Sequence, residues 1–284
     1  MTTPQTITVL GATGKTGRRV SARLKERGHR VRAASRRGSS RFDWEDESTW
    51  SDVIDGASAI YLVPHEASTV QDPTEAFVDR AVKAGVRRLV LLSAREWVDT
   101  HLVEGLEREE IVRGSGTGWT ILRPVWFAQN FSEEPFFARG VIDGDLVHGT
   151  GEGAHPFVDV EDIASVAAVA LTDDRHHARH YSLSGPRALT VPDAAAIIAK
   201  ATGRPISTRF LTEDAYRAHL VENYYSPGTA DGVLALSALV RRGEDACLSD
   251  GVQRALGREP RDFADYVEDT VRNQGWGSYP SGPG

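Results

Sequence analysis

Cysteine and long apolar runs are what this chain of 284 residues has least of. Cys247 is its only cysteine, so no disulfide can form within the chain and a reducing compartment is expected. No apolar run is long enough for a membrane-spanning helix, and the first residues are too polar for a signal peptide. We therefore expect a cytoplasmic protein that does not bind a membrane.

Excess basic charge is also absent. The formal net charge is −7 and the isoelectric point is about 5.7, which argues against a nucleic-acid-binding surface. The sequence has neither a pair of cysteines nor an H-E-x-x-H spacing, so no metal site is predicted. The partner that we expect is a small molecule, and the chain is expected to be a monomer or a weak homodimer.

The stretch 6–17 carries the strongest functional signal. A short apolar strand pattern is followed by Gly11, Gly14 and Gly17 at G-x-x-G-x-x-G spacing, and then by residues with helical period. Such a turn lets backbone N–H groups approach a pyrophosphate, whose charge the helix dipole favours. A Walker loop would need a glycine where Val9 stands, so a triphosphate site is disfavoured. The stretch predicts a dinucleotide site, and an ordinary tight turn is the alternative.

The end of the second predicted strand indicates which dinucleotide is bound. NAD binders usually place Asp or Glu there for the ribose 2′-OH, whereas NADP binders offer an arginine to the 2′-phosphate. This chain has Ser35, Arg36 and Arg37 at that point, without a carboxylate. Because a guanidinium can clamp a phosphate bidentately, the combination favours NADPH or NADP. A solvated basic loop is the alternative for any one of these arginines.

Short β-rich runs alternate with helical stretches, as parallel α/β sheets require. The strands are predicted at about 6–10, 30–34, 58–63, 88–92, 119–123 and 180–184. The helices between them are predicted at about 16–27, 48–55, 73–84, 102–114 and 161–171. Beyond Gly185, helical patterns without obvious strands occur at about 192–201, 212–222, 230–241 and 261–272.

The expected fold class is α/β, a Rossmann-like doubly wound parallel sheet with a smaller, mainly helical C-terminal substrate lobe. Residues 1–125 plus about 156–185 are predicted to form the NADP-binding domain. Residues of about 126–155 plus 186–275 are predicted to form the substrate-binding lobe, followed by a flexible tail at 276–284 in which Trp276 could dock.

Seven segments together resemble the NmrA-like group of atypical short-chain dehydrogenase/reductases. That group includes quinone and natural-product reductases as well as a redox-sensing transcription regulator. The segments are Gly11–Gly17, Phe42–Trp44, Ala84–Ser93, Trp119–Pro124, Trp126–Phe131, Phe157–Ala164 and Tyr181–Pro186.

The resemblance implies an adenine site at Asp43 and Trp44, and further residues along the ribose and nicotinamide. With the glycine turn and the basic strand end, the candidate cofactor-binding residues are Gly11, Thr13, Gly14, Lys15, Thr16, Gly17, Ser35, Arg36, Arg37, Asp43, Trp44, Val63, Pro64, Ser93, Ala94, Pro124, Val125 and Phe127.

The chain departs from the wider superfamily at its catalytic pair. Typical members carry Tyr-x-x-x-Lys on the helix after the strand that here ends at Ser93, and the lysine helps to lower the pKa of the proton-donating tyrosine. No tyrosine occurs from residue 62 to 180 and no lysine from 84 to 199. By spacing, His101 falls on the tyrosine position and Gly105 on the lysine position. Any proton for a reduction must come from elsewhere.

Two residues are candidates for catalysis. His101 titrates near neutrality and could donate a proton directly or through water, although a surface histidine is equally compatible with its position. Ser93 could orient a carbonyl by hydrogen bonding, although contact with the cofactor ribose is the favoured alternative. A third route needs no protein acid, because a phenol beside the reacting ketone can supply the proton through an internal hydrogen bond.

The family's layout implies an aromatic substrate site, although about half of its aromatic residues are expected to pack the core instead. The candidate substrate-binding residues are Trp97, Trp126, Asn130, Phe136, Phe157 and Tyr224. We expect an NADPH-dependent reductase acting on a carbonyl of a bulky aromatic small molecule, similar to actinomycete-type ketoreductases of aromatic polyketides. The alternatives are an NADP(H) sensor without catalysis, or a reductase of quinones, enones or iminium ions.

Overall fold

The structure is a computed structural model that describes residues 4–64 and 72–277. Its strands are Thr6–Leu10 (β1), Arg30–Ser35 (β2), Ser40–Arg41 (β3), Ala59–Leu62 (β4), Arg88–Leu92 (β5), Gly118–Pro124 (β6), Asp145–His148 (β7), Arg179–Leu183 (β8) and Ser207–Phe210 (β9).

Helices flank and follow these strands. They are Lys15–Glu26 (α1), Trp50–Ile54 (α2), Thr74–Lys83 (α3), Arg95–Asp99 (α4), Val103–Gly114 (α5), Asn130–Glu133 (α6), Pro135–Asp143 (α7), Val160–Thr172 (α8), Val191–Thr202 (α9), Glu213–Asn223 (α10), Pro227–Arg241 (α11), Gly251–Leu256 (α12) and Phe263–Arg272 (α13). Short 3₁₀ turns are formed by Glu47–Thr49 and Asp174–His176.

Seven of the strands form one parallel sheet in the order β3-β2-β1-β4-β5-β6-β8. Helices α1 and α8 pack against each other, and α8 also contacts β4, β5 and β6. Apolar side chains of α2, α3 and α5 join a core with residues of the sheet strands. The prediction of a doubly wound parallel sheet is confirmed, and the order reverses between β1 and β4, where ligands of open α/β sheets bind.

Strands of this sheet are buried because helices cover them. Leu89, Val90 and Leu91 in β5 are each at most 1% exposed, and a continuous apolar run is typical of a parallel strand covered on both faces. Burial of such a run removes apolar area from water on both sides of the sheet, which stabilises the central strands most.

The chain divides into two units. The first comprises residues 1–125, 160–183 and 250–258, and the second comprises 126–159, 184–249 and 259–284. Residues 250–258, expected in the substrate lobe, group with the first unit, where α12 contacts α8 and β8. Each unit has its own cluster of buried apolar side chains.

The second unit contains a small sheet that the sequence did not predict. Strands β7 and β9 pair in parallel, with Asp145 opposite Ser207 and His148 opposite Phe210. The sequence shows no obvious strand pattern beyond Gly185, and β9 lies in that part of the chain. Both strands are only four residues long and polar at several positions, so neither shows the apolar run of a core strand.

The first residue of the predicted tail, Trp276, is docked in the second unit. Trp276 is 5% exposed, and its indole N–H donates to the carbonyl oxygen of Phe131 at 2.8 Å. A buried indole with a bonded N–H anchors the chain at this point. The remainder of the predicted tail, from 278 onward, lies outside the described residues.

Within residues 4–64 and 72–277, no helix is both long enough and apolar enough to cross a membrane.

Candidate active site

Of the three glycines between β1 and the first turn of α1, the fold itself requires Gly11 and Gly17. Gly11 has a φ of +62°, and a Cβ built on it would lie 3.3 Å from the side chain of Val63. A Cβ on Gly17 would overlap the carbonyl oxygen of Gly11. These two glycines let α1 start close against the ends of β1 and β4.

Gly14 differs because the fold itself does not demand glycine there. It is the N-cap of α1 with φ −77° and ψ 176°, values open to any residue. A Cβ built on Gly14 would lie 3.2 Å from the carbonyl oxygen of Gly11. Among the described residues beyond its chain neighbours, it would have no other atom within 4 Å. The N-cap makes no side-chain hydrogen bond and the first turn of α1 is without acidic residues. An exposed glycine before a helix N-terminus fits the approach of a pyrophosphate.

The end of β2 offers groups suited to a phosphate. The Ser35 hydroxyl is buried and has no hydrogen-bond partner among the described residues. Arg36 and Arg37 follow it and are exposed. Arg41 differs from them in that it pairs with Asp46 at 3.3 Å. A buried hydroxyl without a partner beside exposed guanidinium groups fits the 2′-phosphate of NADP.

Trp44 links the segment after β2 to the end of β4. Its indole N–H donates to the carbonyl oxygen of Val63 at 3.1 Å. The ring packs edge-on against Phe42 and Phe77, with centroid distances of 5.0 and 5.1 Å. Trp44 and Asp43 both stay partly exposed, as contact with an adenine requires.

The other predicted cofactor residues follow strand ends or begin helices. Thr13 is exposed in the glycine turn, and Lys15 and Thr16 begin α1. Partly exposed residues that follow β4 and β5 are Pro64 and Ala94. Pro124 ends β6 and is buried with Val125. Phe127 belongs to the second unit.

Ser93 is held by a buried carboxylate that sequence reasoning missed. Its hydroxyl donates to Glu109 Oε1 at 2.6 Å, and Arg123 Nε donates to the same oxygen at 2.9 Å. Arg123 Nη2 and Arg113 Nη2 donate to Glu109 Oε2. The single hydroxyl proton of Ser93 is thus engaged, so Ser93 does not donate to a substrate carbonyl in this arrangement.

Glu109 is ionised in this network. Burial alone would raise the pKa of its carboxyl, but hydrogen bonds from Arg123 and Ser93 and the charges of Arg123 and Arg113 outweigh burial and lower it. The side chain of Glu109 is 0% exposed. A buried carboxylate with two arginines and a serine is fully paired, as a buried charge must be.

His101 and Gly105 occupy different surroundings. His101 lies in the turn between α4 and α5, is exposed, and has a φ of +53°. Gly105 is buried in α5, and a Cβ built on it would lie 2.5 Å from Cδ2 of Trp97. The indole of Trp97 therefore packs where a lysine side chain would leave the helix. Trp97 itself stays partly exposed, with the Arg108 guanidinium carbon 5.8 Å from its ring centre.

Two of the predicted substrate residues in the second unit are largely buried. Phe136 and Phe157 are 5% and 2% exposed and belong to its buried apolar cluster. Both rings pack among other aromatic rings, so their contacts within the protein are those of core residues. Trp126 and Tyr224 are partly exposed at the edge of that cluster. Asn130 begins α6, is 7% exposed, and its backbone N–H donates to Phe127 O at 3.0 Å.

Trp126 is positioned by a second element that the sequence did not reveal. Its backbone N–H donates to His155 Nε2 at 3.0 Å, and His155 Nδ1 lies 2.9 Å from Asp245 Oδ2. Because Nε2 accepts from the backbone, a neutral His155 ring carries its proton on Nδ1, on the side of Asp245, and the ring holds the chain at Trp126.

In the part of the chain that the structure describes, no group of three or more His, Cys, Asp or Glu side chains is placed to hold a metal ion.

Comparisons with known proteins identify the family. The sequence profile of the NmrA-like family matches residues 3–230. The chain is 33% identical over 279 residues to agroclavine dehydrogenase of Claviceps fusiformis, a match covering 93% of this chain and 96% of that protein. It is 32% identical over 277 residues to the (4-alkanoyl-5-oxo-2,5-dihydrofuran-3-yl)methyl phosphate reductase of Streptomyces griseus, with coverages of 92% and 96%.

Solved structures agree on the fold. An NADPH-dependent quinone oxidoreductase of Escherichia coli, in complex with NADPH, superposes with a TM-score of 0.74 at 22% identity, covering 93% of this chain and 99% of that one. The glycine turn, the strand order and these matches lead to one assignment: the chain belongs to the NmrA-like family.

Proposed function

We propose that this NmrA-like oxidoreductase is an NADPH-dependent reductase that transfers hydride to a carbonyl of a bulky aromatic small molecule, of the polyketide natural-product type. The observation that carries the proposal is the cofactor cradle of the first unit. Gly14 is exposed at the N-terminus of α1. At the end of β2, the buried hydroxyl of Ser35 has no hydrogen-bond partner among the described residues and lies next in sequence to the exposed Arg36 and Arg37.

The residues of the cradle bind and orient. Backbone N–H groups at the start of α1 would hold the pyrophosphate, and Arg36 with Ser35 would hold the 2′-phosphate. Trp44 would contact the adenine, while Val63, Pro64 and Ala94, which follow the ends of β4 and β5, would contact the ribose and nicotinamide. When bound, NADPH supplies the hydride. The contribution of the protein to the rate is then largely the orientation of the two reacting carbons.

The proton for a carbonyl substrate is the point on which this chain departs from its superfamily. The Ser93 proton is engaged by Glu109, and the lysine position is occupied by Gly105 against Trp97. His101 is exposed in a turn. We favour a substrate that supplies its own proton from a phenol beside the ketone, so that the internal hydrogen bond neutralises the developing alkoxide.

A second substrate class is favoured by the same observation. Hydride transfer to the carbon of an iminium ion gives a neutral amine, and this step needs no proton from the protein. The engaged proton of Ser93 is therefore compatible with iminium reduction as well as with a phenolic ketone. A quinone without a neighbouring phenol differs from both, because its reduction consumes a proton as well as a hydride and it carries no internal donor.

The cofactor is tested by direct titration. We expect NADPH to bind about tenfold to a hundredfold more tightly than NADH, since a charge-assisted bidentate contact contributes roughly 1.5–3 kcal/mol. Arg36→Ala should remove most of this preference and leave NADH binding nearly unchanged. Arg41→Ala is the matched control, because Arg41 already pairs with Asp46. Equal affinity of the wild type for both cofactors would contradict the proposal.

The reaction is tested with 8-hydroxy-1-tetralone and its methyl ether. With deuterium-labelled NADPH, the label should appear on the former carbonyl carbon of the phenol, and the methyl ether should react at least about a hundredfold more slowly. His101→Ala should cost little if the substrate supplies the proton, whereas a general acid at His101 would cost about a hundredfold and shift the pH profile. Binding of NADPH without turnover on a panel of aromatic ketones, quinones and iminium salts would favour an NADP(H) sensor.

A further inference from the structure

We propose that Ser93 meets a bound ligand only as a hydrogen-bond acceptor, that Glu109 is the positioning residue that makes it so, and that the ligand group opposite Ser93 carries an O–H or N–H. The proposal deepens the proposed function and rests on it, since the ligand is the dinucleotide or the aromatic substrate. It reverses the polarity that the sequence suggests for Ser93.

The carboxylate of Glu109 can only accept hydrogen bonds. Arginine is permanently charged in proteins, and Glu109 receives N–H groups from Arg123 at 2.9 Å on Oε1 and from Arg113 at 2.9 Å on Oε2. An ionised carboxylate has acceptor oxygens and no donor. The 2.6 Å contact between the Ser93 hydroxyl and Oε1 therefore requires the serine to donate.

Ser93 has no donor left for a ligand. A serine has one hydroxyl proton and one backbone N–H, and the backbone N–H donates to Leu122 O at 2.7 Å. Both donors are thereby used within the protein. The remaining capacity of the side chain is the second lone pair of the hydroxyl oxygen, which can only accept.

Ser93 lies at the carboxyl end of a central strand. Ser93 directly follows Leu92, the last residue of β5, and β5 pairs with β4 beside the reversal of strand order. The carboxyl ends of strands at this point form the ligand site of an open parallel sheet. A serine there that only accepts selects for a ligand with a donor, and gives a carbonyl oxygen no hydrogen bond.

The donor can come from the carboxamide, from the substrate or from a ribose hydroxyl, and two pairs of probes distinguish these three sources. NADP⁺ carries a carboxamide N–H₂, whereas its 3-acetylpyridine analogue has a methyl group in that place. 1-Naphthol carries an O–H, whereas 1-methoxynaphthalene lacks it. We would measure binding of the first pair to the protein alone, and of the second pair to the protein loaded with NADP⁺, by isothermal titration calorimetry.

In one pair, the wild type should favour the donor-bearing probe about threefold to tenfold, as a neutral hydrogen bond contributes. Ser93→Ala should bring that ratio close to one. A preference in the first pair assigns the donor to the carboxamide, and one in the second pair assigns it to the substrate. If Ser93 accepts from a ribose hydroxyl, Ser93→Ala should instead weaken the binding of both dinucleotides equally, by about threefold to tenfold.

Glu109 is tested by Glu109→Gln, whose amide can turn an N–H₂ toward Ser93 and release the hydroxyl proton. The preference for the donor-bearing probe should narrow, and binding of 1-acetylnaphthalene, which only accepts, should strengthen. Glu107→Gln is the matched control, because Glu107 is exposed on the same helix. Thr120→Val is the control for loss of a buried hydroxyl, since Thr120 donates to His176 O at 2.7 Å away from the strand end. Neither control should change a binding ratio.

Two results would overturn the proposal. One is that Ser93→Ala weakens 1-acetylnaphthalene and leaves both donor-bearing probes unchanged, because Ser93 would then be a donor. The other is that the folded Ser93→Ala protein binds every probe as the wild type does. Failure of the wild type to bind any dinucleotide is a different result, which contradicts the proposed function, and the naphthol pair is then measured on the protein alone to report the polarity of Ser93.

Discussion

The indole of Trp97 lies directly against the Cα of Gly105, so that a Cβ built there would be 2.5 Å from Cδ2 of the ring. The spacing of the sequence puts Gly105 where the wider superfamily carries a lysine. The tryptophan is further held by Arg108, which is itself ion-paired with Asp72. The ring of Trp97 therefore occupies the space that a side chain at position 105 would enter.

Gly105→Ala should destabilise the protein by about 1–3 kcal/mol, because the ring must shift to admit one methyl group. Gly114→Ala is the matched control on the same helix, where no described atom beyond adjacent residues and the helix's own backbone lies within 4 Å of a Cβ. That change should stabilise the protein by about 0.5–1 kcal/mol through the lower entropy of the unfolded chain. Urea denaturation of both variants checks the contrast, and equal shifts would contradict the packing of Trp97 on Gly105.

Gly14→Ala should leave the fold intact and weaken NADPH binding by about a hundredfold, because its methyl group would project where the pyrophosphate approaches. Gly17→Ala should fail earlier, in folding, since its methyl group overlaps the carbonyl oxygen of Gly11. Circular dichroism and NADPH titration separate the two effects. Normal NADPH binding by a folded Gly14→Ala protein would mean that the glycine turn serves the backbone alone.

The main sheet could be predicted from the sequence because its strands are short apolar runs between helical patterns. The strand pair β7 and β9 could not, since Asp145 and Ser207 begin polar strands that pair mainly with each other. The glycine turn could likewise be predicted, because its glycines lie close together in the sequence. The role of Glu109 could not be predicted, since a glutamate in a helix is normally solvated and its partner Arg123 lies on a later strand.

Acid should destabilise the protein through His148. Burial lowers the pKa of His148 from 6.5 to about 4, and the side chain is 3% exposed with its Nδ1 2.9 Å from Thr150 Oγ1. Below pH 6.5 the unfolded chain binds a proton that the folded protein does not, so the free energy of unfolding falls as the pH falls toward 4. Between about pH 7 and about pH 5 this single group should account for about 2 kcal/mol.

The contribution of His148 is isolated by His148→Asn, which keeps an acceptor near Nδ1 and cannot titrate. Urea denaturation of both proteins at the two pH values gives the difference in slope. We expect the wild type to lose about 2 kcal/mol more than the variant over this range. The same loss in both proteins would show that other groups carry the acid sensitivity.

Tyr216→Phe should stabilise the protein, although tyrosine-to-phenylalanine changes in cores usually do the opposite. Tyr216 is 1% exposed, and its hydroxyl has no hydrogen-bond partner among the described residues. A buried hydroxyl without a partner costs roughly 1–3 kcal/mol, which the change recovers without leaving a cavity.

Tyr266→Phe is the matched control in the same core, because Tyr266 is 3% exposed and its hydroxyl donates to Ser132 at 2.8 Å. We expect the control to lose about 1 kcal/mol and leave Ser132 without its donor, so that the two variants shift the urea midpoint in opposite directions. Destabilisation of equal size in both would mean that the Tyr216 hydroxyl is satisfied in solution by water or by a rearranged side chain.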